Sequence, residues 1–160
     1  MKIQKITNPV YLGVIAPLIQ KFYNRVKESS GLYEGVTYES LYTYLARLIQ
    51  FGKGKTEDMS EVWVAYDEDE SPVGFSAWQV MDIPHVGKVF CPILYNDTRN
   101  QAAIKELYEE FKQFGRRHRA PLYQYYAVNE KTGNYFSGVA GKMGVEFKET
   151  GLREYIGREV

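Results

Sequence analysis

The chain has 160 residues, with 20 Lys or Arg balanced by 20 Asp or Glu, so its formal net charge at pH 7 is zero. This length fits one domain, over residues 1–160, with a sizeable buried core, and the neutral balance excludes a nucleic-acid footprint spread over the whole surface. The single cysteine, Cys91, excludes an intrachain disulfide and an all-cysteine metal site. No metal site is predicted, and because Cys91 lies in an apolar run we expect a buried structural thiol.

The first predicted elements are a strand and two helices. Residues 2–6 alternate as an edge strand does. Residues 10–27 follow an Asn-Pro pair that is typical of a helix start, and they have helical apolar spacing, which Pro17 should kink or split. Thr37 is predicted to cap a second helix, and the glycines in 52–55 are predicted to end it.

The N-terminal region carries no predicted export signal or membrane anchor. Its longest apolar stretch, 9–18, is too short to span a bilayer and lacks the basic flank and cleavage site of a secretory signal. The expectation is a cytoplasmic protein with no membrane partner.

After residue 60 the apolar spacing changes from a helical period to a strand period. Residues 61–66 and 73–81 are predicted to form a hairpin around a turn at 67–72. A loop leads into a third strand at 88–95, and a polar turn at 96–100 follows it.

An amphipathic helix comes next, and it is where we expect a ligand. Thr98 or Asn100 is expected to cap it, and the basic run 116–119 closes it, as the helix macrodipole favours. The first N–H groups of a helix lack intrahelical partners, so this strand–loop–helix unit is suited to holding an anion. The predicted apolar face consists of Ile104, Leu107, Tyr108, Phe111 and Phe114.

The C-terminal part is predicted to contain further strands and a short helix. Residues 122–128 are rich in β-formers, 129–134 are predicted as a turn, and 135–143 as a helix that Gly144 ends. Two terminal strands are predicted at 145–148 and 152–156. The fold class is therefore α+β, with a mixed, mostly antiparallel twisted sheet of six to seven strands flanked by helices.

This element order resembles the GCN5-related N-acetyltransferase (GNAT) superfamily over residues 2–150. The central hairpin, 61–78, and the strand–loop–helix at 88–114 are similar to the family's. So is the closing strand–helix–strand at 122–147, with Lys142-Met143-Gly144 where such proteins often read Lys-Leu-Gly-Phe. The resemblance implies an acyl-CoA N-acyltransferase-like fold.

The resemblance also implies a V-shaped splay between the strands at 88–95 and 122–128. Pro92 fits this, because a proline inside a strand needs a bulge or an unpaired edge. The alternative is that Pro92 ends a shorter strand.

The activity that the resemblance implies is transfer of an acetyl group from acetyl-CoA, or of another acyl group from its acyl-CoA, to an amine of a small molecule or protein. The residues implied for the cofactor are Ile93, Leu94 and Tyr95 for the pantetheine arm and carbonyl, and Arg99, Asn100, Gln101, Ala102 and Ala103 for the phosphates. Candidate catalytic residues are Asp82 and His85 as bases and Tyr135 or Tyr126 as proton donor, although each base is also an ordinary loop residue by its position.

Several positions depart from the family's pattern. In the signature Gln/Arg-x-x-Gly-x-Gly/Ala, the register puts Arg99 first and Ala102 and Ile104 at the two small positions, where glycine lets a backbone approach a phosphate closely. Counting back from Gly144 puts Ala140 where the family often has a general-acid tyrosine.

These departures support an alternative hypothesis. The chain is then a catalytically inactive GNAT-fold protein that acts as a binding or structural module, and a viral or mobile-element origin is conceivable for it. Its many tyrosines would favour a protein partner, because they offer large contact areas with a polar tip. Nucleic-acid contact through 116–119 is disfavoured by the neutral overall charge.

Overall fold

The computed structural model describes residues 1–28, 35–83, 86–97, 101–127, 129–150 and 159, and for Asp82, Ile83 and Val86 it describes the backbone alone. In chain order the elements are β1 (Lys2–Lys5), a 3-10 helix (Pro9–Ile15), α1 (Ala16–Val26), α2 (Tyr38–Phe51), β2 (Ser60–Tyr66), β3 (Pro72–Ile83), β4 (Val86–Asn96), α3 (Gln101–Arg117), β5 (Leu122–Tyr125) and α4 (Glu130–Lys142). Across these ranges, no helix combines the length and apolar character that a membrane crossing requires.

Pro17 splits the first helical segment, as predicted. The Asn8 side chain accepts a hydrogen bond from the Val10 N–H at 3.0 Å, and a 3-10 helix then runs to Ile15. Helix α1 begins at Ala16 with Pro17 in its first turn. Proline has no N–H to donate, and in the first turn none is required, so the chain restarts as an α-helix at that point.

Helix α2 has the predicted cap. Thr37 Oγ1 accepts from the Ser40 N–H at 3.1 Å, and Ser40 Oγ accepts from the Thr37 N–H at 2.9 Å. This reciprocal pair satisfies donors that the helix leaves unpaired. Gly52 ends the helix, also as predicted.

The strands form one sheet in the order β1-β2-β3-β4-β5. All neighbours are antiparallel except β4 and β5, which are parallel. The predicted strand at 145–148 is wrong, because these residues have no regular secondary structure. Apolar and polar residues alternate in this segment, as in a strand, because Val145 and Phe147 pack onto the core while Glu146 and Lys148 are exposed. The prediction at 152–156 lies outside the described residues, within which the sheet has five strands.

Helices cover both faces of the sheet. Under α1 and α2 lies a first cluster, whose sheet members are Val62, Val64, Phe75, Ala77, Ile93 and Tyr95. Under α3 and α4 lies a second cluster, which consists of Trp78, Val89, Cys91, Ile104, Tyr108, Phe111, Phe114, Val139 and Ala140. Consecutive strand residues point to opposite faces, so Ala77 in one cluster and Trp78 in the other place the two clusters on opposite sides.

The apolar face predicted for α3 is confirmed. All five of its predicted members are buried: Ile104, Leu107, Tyr108, Phe111 and Phe114. The apolar face that the sequence periodicity predicts is therefore the face with which α3 packs on the sheet.

The turn predicted at 129–134 is wrong, because α4 already begins at Glu130. The Asn129 side chain accepts from the Thr132 N–H at 2.8 Å, so it caps a helix. Asparagine, threonine and glycine suit both a turn and a helix N-terminus, and local composition does not separate the two. The predicted stop is confirmed, since Gly144 has a φ of 80° beyond the helix end.

Gly115 of α3 is expected to tolerate no side chain. A Cβ there would collide with the Tyr123 ring, whose hydroxyl donates to the Lys112 carbonyl at 3.0 Å and so holds the ring against α3. We expect Gly115→Ala to lower the free energy of unfolding by about 1–3 kcal/mol in urea titration, despite the better helix propensity of alanine. The matched control is Gly138→Ala in α4, where a Cβ meets open space. Equal effects of the two substitutions would contradict this packing argument.

Candidate functional site

The parallel ladder between β4 and β5 ends partway along β4. Its last rung joins Cys91 to Tyr125, while β4 continues to Asn96 with antiparallel pairing to β3 on its other edge. Strand β5 is thus shorter than the predicted 122–128. Within the described ranges, the β5 ladder includes none of residues 92–95. We call the point just beyond the Cys91–Tyr125 rung the fork.

Pro92 lies at the fork, where a bulge accommodates it. The β3–β4 register shifts between Ala77 and Gln79, so that Trp78 alone faces both Cys91 and Pro92. A proline cannot donate to a ladder, and here it has both a bulge and an edge free of β5. The alternative that Pro92 ends the strand is wrong, because β4 continues beyond it.

The bulge also changes which face the β4 side chains occupy. Val89 and Cys91 belong to the second cluster, whereas Ile93 and Tyr95 belong to the first. An extra residue in a strand reverses the alternation beyond it. Since the side chains of Ile93 and Tyr95 are buried and Leu94 is half-buried, the backbone of 93–95 is what borders the open edge.

Helix α3 is the next element along the chain, and it begins at Gln101, with four residues between it and the end of β4. Gln101 and Ala102 are exposed there, and Ala103 is buried against Ala65 and Leu107. Leu94 of β4 packs against the cluster that contains Ala103, so the first turn of the helix, with its N–H groups and the positive end of its dipole, lies near this part of β4. Arg99, Asn100 and the alternative cap Thr98 lie outside the described residues.

Ile104, at the second small position of the family's signature, points away from the loop. Its side chain is 2% exposed and packs in the second cluster with Trp78 and Val89. The branched side chain therefore adds to the core under α3 and does not occupy the approach to the helix N-terminus.

A charged cluster that sequence analysis missed fixes the end of β4. Lys21 Nζ lies 2.6 Å from Asp97 Oδ2, and the Tyr95 hydroxyl donates to Asp97 Oδ1 at 3.2 Å. The hydrogen bond from Lys21 is the main cause that lowers the pKa of Asp97. Burial raises the pKa of Tyr95 to about 12, so its phenol stays protonated and keeps donating. The contact joins residues 76 positions apart, which local sequence patterns do not reveal.

Cys91 is a buried thiol, as predicted. Its Sγ donates to the Ile93 carbonyl at 3.2 Å across the bulge. Burial raises its pKa to about 12, so little reactive thiolate forms near neutral pH.

The candidate catalytic residues are spread over different elements. The Asp82 backbone pairs with Gly87 of β4. Gly87 lies four residues before Cys91, so Asp82 is about 13 Å from the fork along the strand direction. Tyr135 lies on α4 with 39% exposure, and Tyr126 follows β5 with 43% exposure. His85 lies outside the described residues. The structure thus brings 93–95 and 101–103 to one region and places Asp82 at some distance from the fork.

No family model matches the chain, and no curated protein matches it in sequence. Solved structures do match in fold. The crystal structure of a probable acetyltransferase has 16% sequence identity and a TM-score of 0.70, covering 100% of this chain and 99% of its own. The aminoglycoside antibiotic 6'-N-acetyltransferase AAC(6')-IG from Acinetobacter haemolyticus has 12% identity and a TM-score of 0.66, with 100% and 99% coverage. A predicted acetyltransferase from Clostridium acetobutylicum, solved with acetyl-CoA, has 11% identity and a TM-score of 0.66, with 96% and 95% coverage.

These identities are low, but the matches extend over nearly all of both chains. The structure also shares the features expected of the family: the central hairpin, the strand–loop–helix, and parallel strands that stop pairing at a bulged proline. The chain has the fold of the GCN5-related N-acetyltransferases.

Proposed function

We propose that the protein is an acyl-CoA-dependent N-acyltransferase that moves an acetyl group from acetyl-CoA to an amine. The observation that carries this proposal is the open β4 edge: pairing with β5 stops at Cys91, while β4 continues to Asn96, and α3 is the next element along the chain. A polar ligand arm can pair with such an edge as an added strand does.

The ligand fits this region through backbone groups. The two amides of a pantetheine arm are suited to pair with those backbone N–H and C=O groups of 93–95 that do not pair with β3. The phosphates match the N-terminus of α3, with Gln101, Ala102 and Ala103 supplying N–H groups and Arg99 and Asn100 in the preceding loop. Ile104 does not obstruct the phosphates, because its side chain is in the core.

The chemistry requires few groups. The amine nitrogen forms a bond to the thioester carbonyl carbon, the carbon–sulfur bond breaks, the nitrogen loses a proton to a base, and the sulfur gains one. Asp82 and His85 are the proposed bases, and since Asp82 lies away from the fork it would act through water. Tyr135 is a proposed proton donor. N–H groups of β4 near the fork are suited to polarising the carbonyl oxygen. The acceptor is an amine of a small molecule or a protein.

One observation favours a second candidate function, a catalytically inactive binding module. Ala140 is fully buried at the position where the family often has its tyrosine, so no hydroxyl enters the site from there. A module of this kind would present exposed Tyr126, Tyr135 and Leu122 to a protein partner.

Thermal unfolding with acetyl-CoA separates the two functions. A ligand at 100 times its Kd stabilises the folded state by about 2.7 kcal/mol, and for a chain of this size we expect Tm to rise by about 5–10 °C. The measurement is a melt of the wild-type protein with and without millimolar acetyl-CoA. Unchanged Tm with acetyl-CoA, coenzyme A and longer acyl-CoAs would reject the enzyme and leave the binding module.

A further inference from the structure

Three tyrosines belong to or pack against the buried cluster that contains Cys91 of the fork, and two of them have hydrogen-bonded hydroxyls. Tyr123 donates to the Lys112 carbonyl of α3 at 3.0 Å. Tyr125 donates to the Gly133 carbonyl at 2.7 Å and accepts from Ser137, whose Oγ lies 2.6 Å away. These two phenols tie β5 to the helices on either side of it.

The third phenol, that of Tyr108, is different. The residue is 3% exposed, and its hydroxyl oxygen is buried without a hydrogen-bond partner among the residues that the structure describes. A buried hydroxyl without a partner costs stability, and native structures leave few of them unexplained. An atom of this kind in a site is a donor available to a ligand.

The surroundings of Tyr108 place it beside the fork. It belongs to the same buried cluster as Cys91, which forms the last rung with Tyr125. The rings of Tyr108 and Tyr125 both pack edge-on against Phe147, at centroid distances of 6.3 and 4.7 Å. Side chains on a helix lean toward its N-terminus, and the N-terminus of α3 is the end beside the open edge of β4.

The chemistry of this hydroxyl suits hydrogen-bond donation. Burial, with smaller contributions from Cys91 and Tyr125, raises the pKa of Tyr108, so the phenol remains protonated at neutral pH. The same cluster contains Ala140 of α4, which offers no polar atom from the other helix. Tyr108 thus provides, from α3, a donor that α4 lacks at that position.

We propose that the Tyr108 hydroxyl is the hydrogen-bond donor that receives the thioester group of the acyl-CoA at the fork. This inference rests on the proposed acyl-CoA binding and adds to it the residue that recognises the reactive end of the ligand. The geometry supports Tyr108 over the exposed Tyr135 for this contact, because only a desolvated donor gains strongly from a ligand partner.

The test is calorimetric titration with two probes, acetyl-CoA and adenosine bisphosphate, which is the nucleotide half of coenzyme A without the pantetheine arm. We expect Tyr108→Phe to weaken acetyl-CoA binding about 3- to 10-fold and to leave adenosine bisphosphate binding unchanged. The ligand-free variant should melt at the same temperature as the wild type or higher, since the substitution removes an unpartnered buried hydroxyl. Tyr11→Phe, which removes an exposed phenol on the 3-10 helix, is the comparison variant and should bind both probes as the wild type does.

The outcomes separate this inference from the proposed function. If the wild type binds both probes and Tyr108→Phe weakens neither, or weakens both equally, the role of Tyr108 is rejected while acyl-CoA binding stands. An equal loss of acetyl-CoA affinity in Tyr11→Phe would mean that the effect does not come from the fork, and it would also reject this role. If the wild type binds neither probe, the proposed function fails and the inference fails with it.

Discussion

Replacing Glu61 by leucine is expected to lower the free energy of unfolding by about 3–5 kcal/mol. The Glu61 side chain is 2% exposed and accepts three hydrogen bonds. The donors are Trp63 Nε1 at 2.7 Å, Trp78 Nε1 at 3.2 Å and an Arg117 terminal guanidinium nitrogen at 2.8 Å. Lys5 Nζ adds a fourth contact at 3.7 Å. One carboxylate therefore joins β1, β2, β3 and the end of α3.

Most of the expected loss comes from the buried indoles. Trp78 is fully buried, so its N–H has no solvent to replace Glu61, whereas Arg117 is about a third exposed and can rehydrate. Leucine keeps much of the side-chain volume, which limits the contribution of a cavity.

The measurement is the urea midpoint and slope of Glu61→Leu beside its matched control, Glu61→Gln. Glutamine retains an oxygen that accepts from both indoles, but its NH2 group replaces the oxygen that accepts from Arg117 and cannot accept, so Arg117 turns to solvent and we expect about 1–2 kcal/mol of destabilisation. Similar losses in the two variants would show that the ion pair with Arg117, and not the indole hydrogen bonds, dominates this cluster.

This cluster shows what the sequence predicts and what it does not. The periodicity of 61–66 predicts a strand, and the basic run 116–119 predicts a helix end; α3 ends at Arg117, within that run. That Arg117 reaches Glu61, 56 residues away, follows only from the packing of α3 on the sheet. Since Arg117 pairs with Glu61 and Glu57, and His118 contacts the Asp58 carbonyl at 2.7 Å, half of the basic run serves the fold.

In the candidate site, too, the sequence predicts local features, whereas contacts between elements follow only from packing. Pro92 predicts a bulge or an unpaired edge if the strand continues through it, because the missing N–H is a local property of the residue. The helical periodicity puts Ile104 on the apolar face, whereas the register of the family's signature puts it in the phosphate loop. In the structure its side chain is in the core. Tyr108 was predicted only as an apolar-face residue. Whether its hydroxyl has a partner depends on Cys91, Tyr125 and Phe147, which lie on other elements.

The second large effect is expected at the N-terminus of α3. Ala102 is exposed in the first turn, where the phosphates of acetyl-CoA are proposed to bind. Ala102→Glu brings a carboxylate to within about 5 Å of them, and at an effective dielectric constant of about 20 this repulsion costs about 3 kcal/mol per charge pair. We expect acetyl-CoA affinity to fall by about 100-fold, so that the Tm rise with ligand disappears.

The ligand-free stability should change in the opposite direction. A carboxylate in the first turn of a helix interacts favourably with the macrodipole, by about 0.3–1 kcal/mol, so ligand-free Ala102→Glu should melt at or above the wild-type temperature. The neutral variant Ala102→Gln has nearly the same size and should keep most of the ligand-induced rise. Unfolding curves of the wild type, Ala102→Glu and Ala102→Gln, each with and without acetyl-CoA, test the expected loss of ligand binding and the expected ligand-free stability. An undiminished ligand shift in Ala102→Glu would remove the phosphates from this helix end, and an equal loss in Ala102→Gln would mean that bulk, not charge, opposes the ligand.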